Sequence, residues 1–287
     1  MSDPIVYLNG EFLPLSEAKV SVLDRGFIFG DGIYEVIPVY ARQPFRLAEH
    51  LKRLRNNLTA TRIKDPYSEF EWDKIINKLI AQQDAEDQSI YLQITRGVAR
   101  RDHAFPKDIE PTVFLMANPL SVLDEATFNT GASAITLDDI RWHYCNIKAI
   151  ALLPNILLRQ SAIDQGAQEA ILVRDGIVTE GSASNIFIVS NGVIKTAPNS
   201  SLLLPGITRD LIVELAIQNE LPLEETSFSA EQLAAADEIW LTSSMKEVLP
   251  IIRLDEKPVG DGKPGPMARR MYAIFQDFKS ELCKQAK

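Results

Sequence analysis

A single lysine, Lys148, stands in the run "CNIKAIALLPNILL" (residues 145–158), among Ile147, Ile150, Leu152 and Leu153. Burying an ammonium is costly, and a lone lysine ordinarily carries its head to water along its alkyl stem. The alternative is an amine desolvated enough to be partly neutral, and such an amine attacks carbonyls. The run leaves both open. Four other stretches combine residue types that can do chemistry. "TEGSASNIF" (179–187) sets Glu180 before Gly181, Ser182 and Ala183, whose small side chains would let a flat ligand approach the backbone. "LPGITRD" (204–210) opens a helix at Gly206, where free N–H groups and the Thr208 hydroxyl suit a phosphate. "LTSSMKE" (241–247) ends a strand on Ser243 and Ser244, two further hydroxyls for the same anion. "ARRDHAFP" (99–106) places Arg101 two before His103, and a guanidinium is a two-pronged donor that matches a carboxylate. Taken singly, each stretch also reads as a solvated turn, a plain helix entry, a strand end or a basic loop.

The elements that must position these residues follow from periodicity. "IVYLNGEFLP" reads as a hairpin around Asn9-Gly10, and "FIFGDGIYEVIPVY" as mostly strand, broken at Gly30-Asp31-Gly32. "LAEHLKRLRNNL" lines up Leu47, Leu51, Leu54 and Leu58 on one helical face, and a second helix is expected over about 69–83. The strands "SIYLQITRG" and "TVFLMA" follow, separated by the proline-punctuated loop that holds Arg101 and His103. "NPLSVLDEATFNTG" lacks strong periodicity and reads as a connection between domains. Beyond it come the strand "SAITLDDI", a helix over about 150–165, and a run of strands turning at Asp175-Gly176 and Asn191-Gly192. "GITRDLIVELAIQNE" is helical, "SAEQLAAA" opens with a capping box at Ser229 and Gln232, and "DEIWLTSS" is a strand. A closing amphipathic helix carries Met271, Phe275, Phe278 and Leu282. The expected fold is α+β, with antiparallel-rich sheets in two domains. The boundaries are 1–119 for a smaller α/β domain, 120–129 for the connection and 130–287 for a larger domain carrying Lys148.

Composition narrows the class. The 287 residues are 46% hydrophobic and 24% charged, as in ordinary globular chains. A net charge of −9 argues against non-specific nucleic-acid or anionic-membrane binding, and means that an anionic substrate needs a local cationic trap. The two cysteines, Cys145 and Cys283, have no CxxC or Cys/His spacing, so neither a zinc site nor any other metal site is expected. With no basic-then-apolar leader and no membrane-length apolar run, a cytoplasmic enzyme is the expectation.

Ordered along nearly the whole chain, "DRGFIFGDGIYEV", "EHLKRL", "TRG", "RRDHAFP", "DIRWHYCNIK", "VTEGSASNIF", "LPGITRD" and "LTSSMKE" resemble one family. It is the fold-type IV pyridoxal-phosphate aminotransferases, and within them the D-amino-acid aminotransferases. The resemblance implies an N-terminal α/β sandwich, a C-terminal barrel-like α/β domain, and pyridoxal 5'-phosphate at the domain interface. It gives Lys148 the role of the lysine that bonds to the cofactor aldehyde, which accounts for its apolar setting. It gives Glu180 the pyridine nitrogen, and it gives the phosphate to Arg53, Ile207, Thr208 and Ser244. Ser182 and Ser243 complete the expected cofactor set. Tyr34, Arg101 and His103 would hold the substrate carboxylate, with the loop reaching into the neighbouring subunit of a homodimer. The implied reaction is a two-stage transfer of an amino group from a D-amino acid, such as D-alanine, to 2-oxoglutarate or pyruvate. A branched-chain L-aminotransferase, an aminodeoxychorismate lyase and an (R)-amine transaminase share the scaffold and stay open as alternatives.

Overall fold

The computed structural model describes residues 3–285. The chain divides into two compact units, one of residues 1–121 with 147–152, the other of residues 122–146 with 153–287.

The first unit contains β1 (Ile5–Leu8), β2 (Glu11–Pro14), α1 (Arg25–Phe29), β3 (Gly32–Tyr40), β4 (Gln43–Pro44), α2 (Leu47–Thr61), α3 (Glu69–Ala81), β5 (Gln88–Thr95) and β6 (Thr112–Pro119). Its six strands form an antiparallel sheet in the order β2-β1-β6-β5-β3-β4. Alternation along β3 sends Ile33, Glu35, Ile37 and Val39 into the interior and leaves Tyr34 half-buried. Leu51, Leu54 and Leu58 of α2 and Trp72, Ile76 and Leu79 of α3 cover that interior face. Asn9-Gly10 turns the first hairpin with both residues at positive φ, as a type I′ turn requires.

The second unit contains α4 (Glu125–Thr130), β7 (Ala132–Asp138), α5 (Leu153–Asp164), β8 (Glu169–Arg174), β9 (Ile177–Gly181), β10 (Asn185–Ser190), β11 (Val193–Thr196), α6 (Ile207–Gln218), β12 (Leu223–Glu225), α7 (Ala230–Ala234), β13 (Glu238–Ser243), β14 (Glu247–Leu254), β15 (Lys257–Pro258) and α8 (Pro266–Gln285). Its nine-stranded mixed sheet runs β12-β11-β10-β13-β14-β7-β8-β9, with β15 beside β14, and curls so that β9 packs against β10. The Ser229–Gln232 capping box is present on α7. Met271 and Phe275 of α8 are fully buried.

Four local expectations are corrected. "RGFIF" is the helix α1 rather than strand, because Asp24 accepts the Gly26 N–H and Gly30 closes the turn at φ 67°. The segment expected to link the domains holds its own helix, α4, capped by Asp124. Helix α5 starts at Leu153 rather than near 150, since Pro154 is accommodated only in a first turn. Finally, Lys148 packs with the first unit, not with the larger domain. Its segment lies along β3 as an extra edge, through Tyr34 N–H to Lys148 O (2.9 Å), Ile150 N–H to Gly32 O (3.1 Å) and an Ile33–Ala149 bridge.

Candidate active site

In the first unit the edge segment carries Lys148 to Tyr34. The lysine Nζ lies 4.1 Å from the centre of the Tyr34 ring, and both side chains are half-buried. A lysine head so placed lies within reach of the ring face, which attracts a cation. Tyr34 in turn leans on Tyr91, ring centres 5.8 Å apart.

One residue further along β3 the side chain points the opposite way, and Glu35 enters the core. His50 and Arg53, three apart on α2, meet it there. Arg53 donates from Nε to Glu35 Oε1 (2.8 Å) and from Nη2 to Oε2 (2.7 Å), and His50 Nδ1 lies 2.8 Å from Oε2. Burial pushes the Glu35 carboxyl up, but Arg53 and His50 outweigh it and bring it to about 2. Burial also pulls His50 down, so the neutral ring donates from Nδ1 to the carboxylate. Arg53 therefore commits two donors to orientation, which holds its guanidinium in one plane. The sequence treats Glu35 only as part of a strand and His50 as helix packing. The signal was a lone acid in "IYEVIPVY", an apolar strand that must pair it.

Arg101 and His103 sit on an exposed loop and gather around Phe29, with the Arg101 guanidinium carbon 5.4 Å and the His103 ring 5.5 Å from its centre. Thus Tyr34 is brought to Lys148, and Arg101 to His103.

In the second unit Glu180 on β9 is buried against Arg141. Arg141 Nη1 pairs with Glu180 Oε1, while Oε2 accepts from Leu204 N–H (3.0 Å) and Asn185 Nδ2 (3.4 Å). Asp139 holds Arg141 from the other side, at 2.9 Å through both Nε and Nη2. Complete burial pushes the Glu180 carboxyl up to about 7, against the pull of Arg141 and Leu204. Arg141 and Asp139 were missed as functional residues although they lie in the "DDIRWHYC" stretch. Two acids and an arginine beside an aromatic run were the available signal.

The residues expected to bind phosphate are also in this unit. Helix α6 opens on Gly206 with no capping side chain, and a Cβ there would collide with Asn185 Oδ1. Its first-turn N–H groups, from Ile207 and Thr208, are thus oriented as anion donors. Ser243 ends β13 and Ser244 follows in the turn, both half-buried, and the Ser243 hydroxyl accepts the Lys246 N–H at 3.1 Å. Ser182 turns its hydroxyl to buried Glu169, which also takes Ser184 (3.0 Å) and Lys246 (3.4 Å). The Ser182 hydroxyl is thereby structural, and so is its backbone, whose N–H donates to the Ala170 carbonyl (2.9 Å) and whose carbonyl accepts from Asn155 Nδ2 (2.9 Å).

Within the second unit, a buried acid and an uncapped helix start are the kinds of group that suit the ring nitrogen and the phosphate of pyridoxal phosphate; within the first, an amine stands on an edge segment. Comparison with known proteins agrees. The family model of class IV aminotransferases matches residues 32–254. The chain belongs to the class IV aminotransferases. This aminotransferase is 40% identical over 274 residues to the D-alanine aminotransferase of Staphylococcus aureus (strain COL), covering 95% of this chain and 97% of that one. It is 39% identical over 280 residues to the D-alanine aminotransferase of Bacillus licheniformis, covering 97% and 99%. Among solved structures, the aminotransferase superposes on the Escherichia coli branched-chain amino acid aminotransferase with a TM-score of 0.91 at 28% identity, covering 96% of this chain and 94% of that one. The T.th. branched-chain amino acid aminotransferase with pyridoxamine 5'-phosphate gives 0.90, with the same identity and coverage.

Proposed function

We propose that the chain transfers the amino group of a D-amino acid, D-alanine among them, to a 2-oxo acid such as 2-oxoglutarate or pyruvate, in the cytoplasm and with pyridoxal 5'-phosphate bound. The observation that carries this reading is the 40% identity, over nearly the whole chain, to relatives named D-alanine aminotransferases. The cofactor is supported by the relative solved with pyridoxamine 5'-phosphate.

Bound pyridoxal phosphate supplies an aldehyde for the amino group and a ring that takes up the electron pair of the broken Cα–H bond. Lys148 would hold the cofactor through its aldehyde, and its amine is the base that would take the proton from the substrate Cα. The Tyr34 ring beneath Nζ limits where that amine can swing. Glu180 would face the ring nitrogen and keep it protonated, while Arg141 with Asp139 holds Glu180 in place. Ile207 and Thr208 N–H groups, the Thr208 hydroxyl, Ser243, Ser244 and Arg53 take the phosphate, with Glu35 fixing the plane of Arg53. Tyr34, Arg101 and His103 take the substrate carboxylate, the loop being supplied by the partner in a homodimer. Pinning that carboxylate selects which Cα hydrogen faces Lys148, and hence handedness.

The likeness to branched-chain enzymes at TM-score 0.91 favours one second reading, an L-branched-chain aminotransferase. Following the visible spectrum of the holoenzyme separates the two. Bleaching by D-alanine but not L-leucine, with recovery on 2-oxoglutarate, is expected; bleaching by L-leucine alone would overturn the D-specific reading.

A further inference from the structure

The loop expected to grip the substrate carboxylate has no regular secondary structure between Gly97 and Pro111, and residues 101–105 are exposed. A loop of that kind presents two side chains in one geometry only if something rigid holds its backbone. The first unit contains such a device. Arg25, 3% exposed, donates from Nη1 to the carbonyls of Asp102 (2.6 Å) and Ala104 (3.4 Å), the two residues on either side of His103. Its own direction is set by Asp31, which accepts from Arg25 Nε at 2.7 Å. Asp31 also takes Arg96, through Nε at 2.8 Å and Nη2 at 2.9 Å. Arg96 is tied in turn to the end of α2, through the carbonyls of Thr61 (2.9 Å) and Arg62 (3.0 Å). The free face of the Arg96 guanidinium receives the loop again, since its central carbon lies 3.7 Å from the Phe105 ring centre, with Arg62 at 4.7 Å.

We propose that Arg25 and Arg96, both oriented by Asp31, are positioning residues for the substrate-carboxylate site: they hold the 102–105 turn so that Arg101 and His103 are presented in a single arrangement. The proposal rests on the carboxylate-binding role given to that loop above. Two features separate it from simple charge balance. Arg25 reaches past Asp31 to two main-chain oxygens, which a partner chosen only to neutralise an acid need not do. Arg96 stacks on an exposed ring that contributes nothing to the core, so the contact serves the loop. Neither arginine touches the reacting atoms. Their effect is therefore on substrate affinity, equally for the amino acid and the oxo acid, because both carry the carboxylate.

The test uses the holoenzyme with Arg25→Lys, which keeps the charge beside Asp31 but lacks the fork that spans Asp31 and the loop carbonyls. Phe105→Ala, at an exposed position, addresses the same loop if the buried variant does not fold. Expected for either is a rise of roughly tenfold in KM for D-alanine and for 2-oxoglutarate, with kcat within about threefold and the visible cofactor band unchanged. A second readout needs no turnover: trypsin should cut after Arg100, Arg101 or Lys107 several-fold faster than in the parent chain. Cleavage at the parental rate overturns the proposal, as does faster cleavage with parental KM values. So does a parallel loss of cofactor band and kcat, which would mark general loosening. A parent enzyme inert toward every D-amino acid would instead sink the functional reading, and would be seen before any variant is made.

Discussion

Glu35 is one carboxylate answering two buried bases, and its charge is what makes the arrangement of α2 on β3 tolerable. Its native value near 2 lies below the ordinary value of 4.5, so between those pH values the unfolded chain takes up a proton that the native state refuses. The stability it contributes is whole above about pH 4.5 and is lost as pH falls through about 2, roughly 3 kcal/mol in all. Glu35→Gln is expected to cost about 3–5 kcal/mol at neutral pH, since Arg53 loses its anion. That deficit should narrow as pH is lowered, read from urea midpoints of the apoprotein; a gap of constant size would show that the ion pair is not its source. Glu180 has the opposite sign. The native carboxyl keeps its proton up to about 7 while the unfolded chain releases it near 4.5, so the apoprotein loses stability as pH rises through that window. Glu180→Gln removes this slope, and the same urea series shows it. For Lys148, replacement by Ala should lower turnover more than about a thousandfold, because both the covalent anchor and the proton carrier go. Substantial residual transamination would dismiss Lys148 from the chemistry.

Elements with one dominant local signal were legible. The Asn9-Gly10, Asp175-Gly176 and Asn191-Gly192 turns, the leucine face of α2 and the Ser229 capping box depend on neighbours within a few residues, and all are present. The short helix α1 was not, because its decisive partner is distant. Asp24 caps Gly26 N–H at 2.7 Å while its other oxygen takes the hydroxyls of Thr95 (3.0 Å) on β5 and Thr112 (2.6 Å) on β6. A five-residue aromatic stretch reads as strand until that tie is known. The candidate site divides in the same way. Glu180, Gly206 and the Arg101–His103 pair stand in recognisable local strings, whereas Arg141 across from Glu180 and Glu35 across from Arg53 are pairings that only tertiary packing creates. At this scale the test is Asp24→Ala. It removes a cap and two buried charge-assisted hydrogen bonds and should cost about 3 kcal/mol by urea unfolding. A loss below about 1 kcal/mol would mean that α1 and the two strand ends hold without it.

At the scale of the whole molecule the question is which chain supplies the carboxylate loop. Arg101 and His103 are exposed in the single chain, and the same unit exposes Val22 and Phe27 at 70% and 76%. Apolar side chains so open fit a surface covered by a second copy, as the proposed homodimer requires. If each loop serves the neighbour's Lys148, then Lys148→Ala and Arg101→Ala are defects in different halves of one site. Each pure mutant dimer is inactive or nearly so. A mixed dimer joins the Lys148 of one chain to the Arg101 of the other and so contains one intact site, the second carrying both defects. Random reassociation makes half the dimers mixed, so co-refolding equal amounts should recover about a quarter of parental activity. A loop that served its own chain would leave each site with one defect in every combination, and mixing would restore nothing. Sedimentation of the mixture shows whether dimers re-formed, so a silent assay with intact dimers would place the loop in cis.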